Sequence, residues 1–181
     1  MLDVHVLTLN SSRKDWLREC LESIQIAMER CPFAVNLHLV QGIEGHIGLG
    51  RDKGYALGDH PFVTYVDDDD FVLPDAFRNM RDAIQAKPDV IFTPEYVLQN
   101  GFQVHGERRH HLSVYARGFL IDHSAYTVCG DYAQIRYAER ANRVIDLPKR
   151  TYVHRLYQSG GRKLRREYPD EWRKVCGKHP T

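Results

Sequence analysis

Asp67, Asp68, Asp69 and Asp70 follow one another directly behind the apolar run Pro61-Phe62-Val63-Thr64-Tyr65-Val66 and just before Phe71-Val72-Leu73-Pro74. Two unit charges about 4 Å apart repel by roughly 1–4 kcal/mol between bulk water and a protein surface. Several such pairs are hard to sustain in one turn without a cation. Hard divalent ions take oxygen ligands, and magnesium or manganese typically use one or two carboxylates, with phosphate oxygens completing the shell. The pattern therefore implies a metal–diphosphate site at the C-terminal edge of a sheet. A calcium EF-hand loop is excluded, because the sixth position from Asp67 is Val72, where glycine is required, and the twelfth is Arg78. The competing reading is a solvated acidic turn that caps a helix at Pro74; the buried strand leading into the cluster counts against it.

The surrounding pattern supplies elements to hold such a turn. Alternation predicts a strand over 4–9, bounded by Asn10-Ser11-Ser12, and Ser12 with Asp15 resembles a capping signal. Trp16, Leu17, Cys20, Leu21, Ile24 and Met28 recur at helical spacing over 13–29. A second strand carries Val35, Leu37 and Leu39, a short helix covers 48–57, and a third strand, 61–66, delivers the aspartates. Pro74 suits the first turn of a helix whose apolar face is Phe77, Met80, Ala83 and Ile84. Strand 89–93 and a hairpin over 96–105 around Asn100-Gly101 follow. Further on, the pattern predicts a strand over 113–121 and a helix from Asp131 with Tyr132, Ile135 and Ala138 along it. Strands over 143–147 and 150–153 come next, then a C-terminal helix through Leu164, Tyr168, Trp172 and Val175, interrupted at Pro169. Strand–helix alternation argues for an α/β layered fold with a mainly parallel sheet. Ligands of such sheets bind outside the carboxyl ends of the strands, where Asn10 and the aspartates both fall.

Composition narrows the class. A chain of 181 residues suits one domain, and 43% hydrophobic with 27% charged residues is ordinary for a globular protein. A net charge of +1 gives no global field toward nucleic acid or membrane. Asp3 and His5 interrupt the first apolar run, which argues against a secretory signal, and no run approaches the roughly 20 residues of a membrane span. Cys20, Cys31, Cys129 and Cys176 are scattered without a CxxC pair, so they read as core or incidental thiols in a reducing compartment. Cytoplasmic is the expected location, with no integral membrane association.

The order of the motifs resembles a known family. Val4-His5-Val6-Leu7-Thr8-Leu9-Asn10 with Trp16-Leu17-Arg18-Glu19-Cys20-Leu21-Glu22-Ser23-Ile24 is similar to the opening of the family 2 glycosyltransferases, which have the GT-A fold, a nucleotide-binding α/β sandwich. Arg51-Asp52-Lys53-Gly54-Tyr55-Ala56 resembles that family's Arg-Asn-x-Gly segment, with Asp52 in place of the asparagine. Residues 65–74 resemble its aspartate-x-aspartate-aspartate motif with the trailing proline. The resemblance implies a single GT-A-like domain over 1–181, divided into a nucleotide-sugar-binding half (1–98) and an acceptor-side half with a C-terminal helix (99–181).

The activity so implied is inverting transfer of a sugar from a nucleotide diphosphate donor, most often a UDP sugar, with Mn2+ or Mg2+ as cofactor. By that analogy Asp67 contacts the nucleotide ribose or base and Asp69 ligates the metal. Thr8 and Asn10 line the base or ribose pocket, against an alternative of plain turn chemistry. Arg51 approaches the diphosphate or the aspartates, or forms a structural ion pair. Arg155 matches an arginine facing the diphosphate, and His154 is a candidate metal ligand. An inverting transfer needs a base for the acceptor hydroxyl. Asp131, in Cys129-Gly130-Asp131-Tyr132, falls at the family's position for it, although Gly130 replaces the usual glutamate. Asp122 and Glu139 remain open as the base, and Asp131 also suits a helix N-cap.

The acceptor is open among a glycan, a lipid-linked sugar and a modified nucleic acid base. Arg108-Arg109-His110-His111 reads as a solvated basic loop, with contact to phosphate or acceptor as the alternative. The basic tail from Arg162 reads as a packed helix with a charged outer face, with a surface for anionic lipid or nucleic acid as the alternative. Two rival functions share the binding chemistry. A sugar nucleotidyltransferase is disfavoured because Asn10-Ser11-Ser12-Arg13 lacks glycine, and a non-catalytic nucleotide-sugar-binding module draws support from Gly130.

Overall fold

β1 (Leu2–Thr8) is buried along almost its whole length because β2 (Val35–Gln41) and β3 (Phe62–Asp67) flank it, both parallel to it. The computed structural model describes residues 1–9, 14–99, 102–104, 111–125 and 133–156. Within these, α1 (Lys14–Glu29) and α2 (Ile47–Tyr55) alternate with the first strands, as the spacing predicts. The chain continues through β4 (Phe71–Val72), α3 (Ala76–Asn79), α4 (Arg81–Gln85), β5 (Val90–Phe92), β6 (Glu95–Gln99), β7 (Phe102–Val104) and β8 (Val114–Ala116). The last described elements are α5 (Ala133–Arg140), β9 (Val144–Asp146) and β10 (Tyr152–Leu156).

Two sheets result. The larger has the order β2-β1-β3-β8-β5-β9, with β8 antiparallel to both of its neighbours and the remaining pairs parallel. The smaller has the order β4-β10-β6-β7, in which β10 runs antiparallel to β4 and parallel to β6. The hairpin expected around Asn100-Gly101 is the β6–β7 pair, with Gln99 opposite Phe102.

The faces of β1 do different work. Leu2, Val4 and Val6 enter the main apolar cluster with Ile24 and Ala27 of α1, Phe77, Met80, Ile91 and Tyr152. Asp3 and His5 face the other way. Asp3 is 2% exposed, and such burial is tolerable only because its oxygens are fully engaged. Oδ2 accepts from Arg117 Nη2 at 2.6 Å and from the His60 N–H at 2.8 Å, while Oδ1 accepts from Asn36 Nδ2 at 3.3 Å and lies 3.0 Å from His38 Nε2. Burial works to raise its pKa, but these bonds hold it below the ordinary carboxylate value.

His5 lies beneath α2, its ring edge-on to Tyr55 at 4.6 Å. The helix approaches this closely because residue 54 has no side chain. A Cβ there would stand 2.4 Å from the His5 ring. Gly54→Ala is therefore expected to destabilise the protein by about 1–3 kcal/mol, through overpacking of a site with no slack. At about 2–4 °C per kcal/mol for a chain of this size, thermal unfolding resolves the loss, and an unchanged midpoint would refute the close-packing account.

Several expectations are corrected. The helix after Pro74 is two short helices, α3 and α4, meeting at Met80, though Phe77, Met80, Ala83 and Ile84 are all buried as expected. The strand expected over 113–121 stops at Ala116 and becomes a 3-10 turn, Arg117–Phe119. The cause is Arg117, whose guanidinium bonds the carbonyls of Tyr55, Leu57 and His60 and pins the chain there. In α5 Tyr137 is fully buried and Ala138 is exposed, while Tyr132 and the side chain of Ile135 lie outside what is described. The last strand begins at Tyr152 and runs to Leu156. Residues 108–110 and the basic tail lie outside the described residues. Among the described residues no helix is long and apolar enough to cross a membrane.

Candidate functional site

The four aspartates form a tight turn at the C-terminal end of β3, closed by the Asp70 N–H donating to the Asp67 carbonyl at 3.1 Å. α1 packs behind it. Cys20 Sγ lies 3.5 Å from the Asp67 carbonyl, and Ser23 Oγ accepts the Val72 N–H at 3.1 Å. Burial and the four aspartates together push the Cys20 thiol far up, so it stays protonated.

The turn divides its carboxylates into different tasks. Asp70 is fully buried. Its Oδ2 accepts the Tyr152 hydroxyl at 2.8 Å and lies 2.9 Å from His154 Nδ1, while Oδ1 accepts the Arg155 N–H at 2.7 Å. Asp70 thus anchors the turn to β10. Asp67 is ion-paired with Arg51, and His111 Nε2 lies 3.5 Å from its other oxygen. Burial pushes the Asp67 pKa up, yet Arg51 and His111 outweigh it and hold the carboxyl down at about 2. Asp69 has no such partner: among the described residues no cationic side chain pairs with it. Burial first, then Asp70, Asp67 and Asp68, push its pKa up to about 7. A cation beside this carboxylate would offset that opposition.

Arg51 is the counterpart of Asp67. It is 3% exposed, its guanidinium lies 3.4 Å from the Tyr65 ring centroid, and among the described residues its Nη1 has no hydrogen-bond partner. Burial pulls its pKa down but Asp67 and the tyrosines reverse this, so it remains charged.

His154 stands with Asp70 and His111 in a group whose ligand atoms lie within 4.8 Å of one another. The two imidazoles are stacked, with centroids 4.2 Å apart and planes 19° from parallel. Lone pairs in nearly parallel planes run side by side, so in this arrangement one of the two rings at a time can ligate an ion. Arg155 reaches the Asp69 carbonyl at 3.1 Å and Glu19 of α1 at 2.5 Å, which clamps the turn to that helix. Thr8 turns its hydroxyl to the Val40 carbonyl at 3.3 Å. Asn10 and Asp131 lie outside the described residues. Asp122 is exposed and spends its oxygens on the Ser124 N–H and hydroxyl, at 2.8 and 2.9 Å, and Glu139 is exposed on α5. The structure thus gathers Arg51, Asp67, Asp69, His154 and Arg155 around one turn.

Three residues of this cluster were not singled out from sequence: Glu95, His111 and Tyr152. His111 belongs to the stretch expected to be a solvated basic loop, yet it is 1% exposed. Its Nδ1 lies 2.7 Å from Glu95 Oε2, and its ring stacks on Tyr152 at 5.0 Å. The available signal was its position at the mouth of the apolar run Leu112-Ser113-Val114-Tyr115. Glu95, likewise, alternates inward with Val97 on β6.

No family model and no curated protein matches the chain. Solved structures do. S. aureus TarS 1-349 aligns with a TM-score of 0.68 at 16% identity, over 97% of this chain and 64% of that one. TarS 1-349 in complex with UDP aligns with a TM-score of 0.66 at 16% identity, over 96% and 66% of the two chains. TarS 1-349 in complex with UDP-GlcNAc aligns with a TM-score of 0.63 at 15% identity, over 97% and 65%. The chain spans 38% of the longer TarS chain. The likeness is one of fold: the chain is a GT-A-like α/β sandwich, with a six-stranded central sheet flanked by helices and the acidic turn at a strand's C-terminal edge.

Proposed function

We propose that the chain is a family 2 type glycosyltransferase that moves a sugar from a UDP-sugar donor to an acceptor hydroxyl with inversion, using Mn2+ or Mg2+. The carrying observation is the division of labour in the acidic turn, where Asp67 is held ionised by Arg51 while Asp69 carries an opposed charge. That the same fold in TarS is seen with UDP and UDP-GlcNAc supports the choice of donor. In this reading Asp69 holds the ion, with His154 as a nitrogen ligand beside it. A divalent ion there supplies Lewis-acid stabilisation of the charge that builds on the departing diphosphate. Asp67, oriented by Arg51, accepts from the nucleotide ribose or base, and Thr8 and Asn10 line that pocket. Arg155 holds the turn against α1 and adds positive charge on the diphosphate side. Asp131 takes the proton from the acceptor hydroxyl, whose oxygen attacks the anomeric carbon as the bond to the diphosphate breaks and UDP leaves. The acceptor is a hydroxyl on a glycan, a lipid-linked sugar or a modified nucleic acid base.

Calorimetric titration with UDP, in Mn2+ and in EDTA, tests the reading. Binding should require the ion, and UDP at 100 times its dissociation constant should add about 2.7 kcal/mol of stability. Incubation with UDP-GlcNAc should release UDP in the presence of Mn2+. Tight binding with no release under any acceptor would leave a binding module, and indifference to UDP would sink the proposal.

A further inference from the structure

A second polar chain starts at Asp52 of α2, the residue after Arg51. His123 is 3% exposed. Its backbone N–H donates to both oxygens of Asp52 at 3.1 and 3.0 Å, and its Nδ1 lies 2.6 Å from Asp52 Oδ1. Its Nε2 lies 3.2 Å from the Tyr137 hydroxyl, which accepts the Ile121 N–H at 3.0 Å. One arrangement of protons satisfies every atom: Nδ1–H donates to Asp52, the tyrosine O–H donates to Nε2, and the tyrosine oxygen accepts from Ile121. This needs a neutral imidazole, and burial, outweighing Asp52, keeps the His123 pKa below its ordinary value. His123 presents two donors, its backbone N–H and Nδ1–H, and Asp52 accepts both.

The chain joins three separate elements. Asp52 belongs to α2 and follows Arg51, the partner of Asp67. His123 belongs to the segment after the 3-10 turn. Tyr137 belongs to α5, where it is fully buried and stacks on Tyr115 of β8 at 4.1 Å. α5 begins at Ala133, just downstream of Asp131 in sequence.

We infer that Asp52, His123 and Tyr137 are positioning residues that fix α5, which in sequence follows Asp131 closely, against the donor-side helix α2. The catalytic purpose rests on the glycosyltransferase reading; the holding of α5 does not.

Asp52→Ala and Tyr137→Phe, singly and together, separate the possibilities when read by amide hydrogen exchange, UDP titration in Mn2+ and release of UDP from UDP-GlcNAc. Exchange in α5 should rise roughly tenfold in each single variant while β1 and β3 keep wild-type rates. The double variant should match the worse single one, because links of one chain do not add. UDP affinity should hold while turnover falls about 100-fold, the loss typical of a reacting group misplaced by about 1 Å. His123→Asn keeps an N–H for Asp52 but cannot reach Tyr137, so its α5 should exchange as in Tyr137→Phe. Protected α5 amides in these variants, or additive effects, overturn the inference. So does a fall in UDP affinity matching the fall in turnover, which would place the chain's role at the donor. A wild-type protein indifferent to UDP sinks the glycosyltransferase reading alone, and the exchange measurements still decide whether the chain holds α5.

Discussion

Asp69→Asn is expected to leave the metal-free fold as stable as wild type or firmer, while abolishing Mn2+-dependent UDP binding. Asp69 is the carboxylate that its surroundings oppose, with a pKa pushed up to about 7 by burial and three acidic neighbours. A folded-state pKa above the unfolded one means that stability is fully present below the ordinary value of 3.8 and is lost as pH rises toward 7. Replacing the carboxylate by a neutral amide removes that loss. In EDTA at pH 8 the variant should therefore gain on the order of 1 kcal/mol, and near pH 4 the gain should vanish. Function should move the other way. If Asp69 carries the ion, turnover falls by about 1,000-fold, in line with losing several kcal/mol of charge stabilisation on the leaving group. Urea unfolding at both pH values and UDP titration in Mn2+ check the two halves. A variant that binds UDP with wild-type Mn2+ dependence would remove Asp69 from the site.

The next residue should behave in the opposite sense. Asp70→Ala is expected to cost about 3–5 kcal/mol, because it strands three donors in the interior: the Tyr152 hydroxyl, His154 Nδ1 and the Arg155 N–H. At about 2–4 °C per kcal/mol, the melting midpoint should drop by roughly 10 °C. Tyr152→Phe removes only one of these bonds and should cost about 1–2 kcal/mol. If Asp70→Ala proves no less stable than Asp69→Asn, the assignment of Asp70 as the anchor of β10 is wrong.

This opposition between neighbours marks where sequence stopped being informative. The quartet, the strand before it and the proline after it were legible because like charges at a strand end are rare and need a cause. Which aspartate does which task was not, since a tight turn aims successive side chains in different directions. Arg51 was legible as a partner of the diphosphate or the aspartates, or as a plain ion pair, and it pairs with Asp67. His111 was misread because a basic stretch suggests solvent, whereas its burial depends on Glu95, sixteen positions away on another strand. Asp52 carried no readable role, for its donor lies 71 positions downstream. Local period and turn chemistry gave β1, α1, α2 and β3 nearly to the residue. They overran at Arg117, where a cation bonding three distant carbonyls ends a strand whose own residues would continue it.

The Tyr152 hydroxyl touches Asp67 and Asp70 from 85 and 82 positions away. During synthesis the acidic quartet therefore leaves the ribosome long before the strand that quiets it. Until β10 arrives, the nascent chain must carry those carboxylates hydrated, and the turn cannot settle into its folded shape. Contacts of such sequence separation close late and slowly. The first layers can form early, but the acidic turn is finished only once β10 has been made.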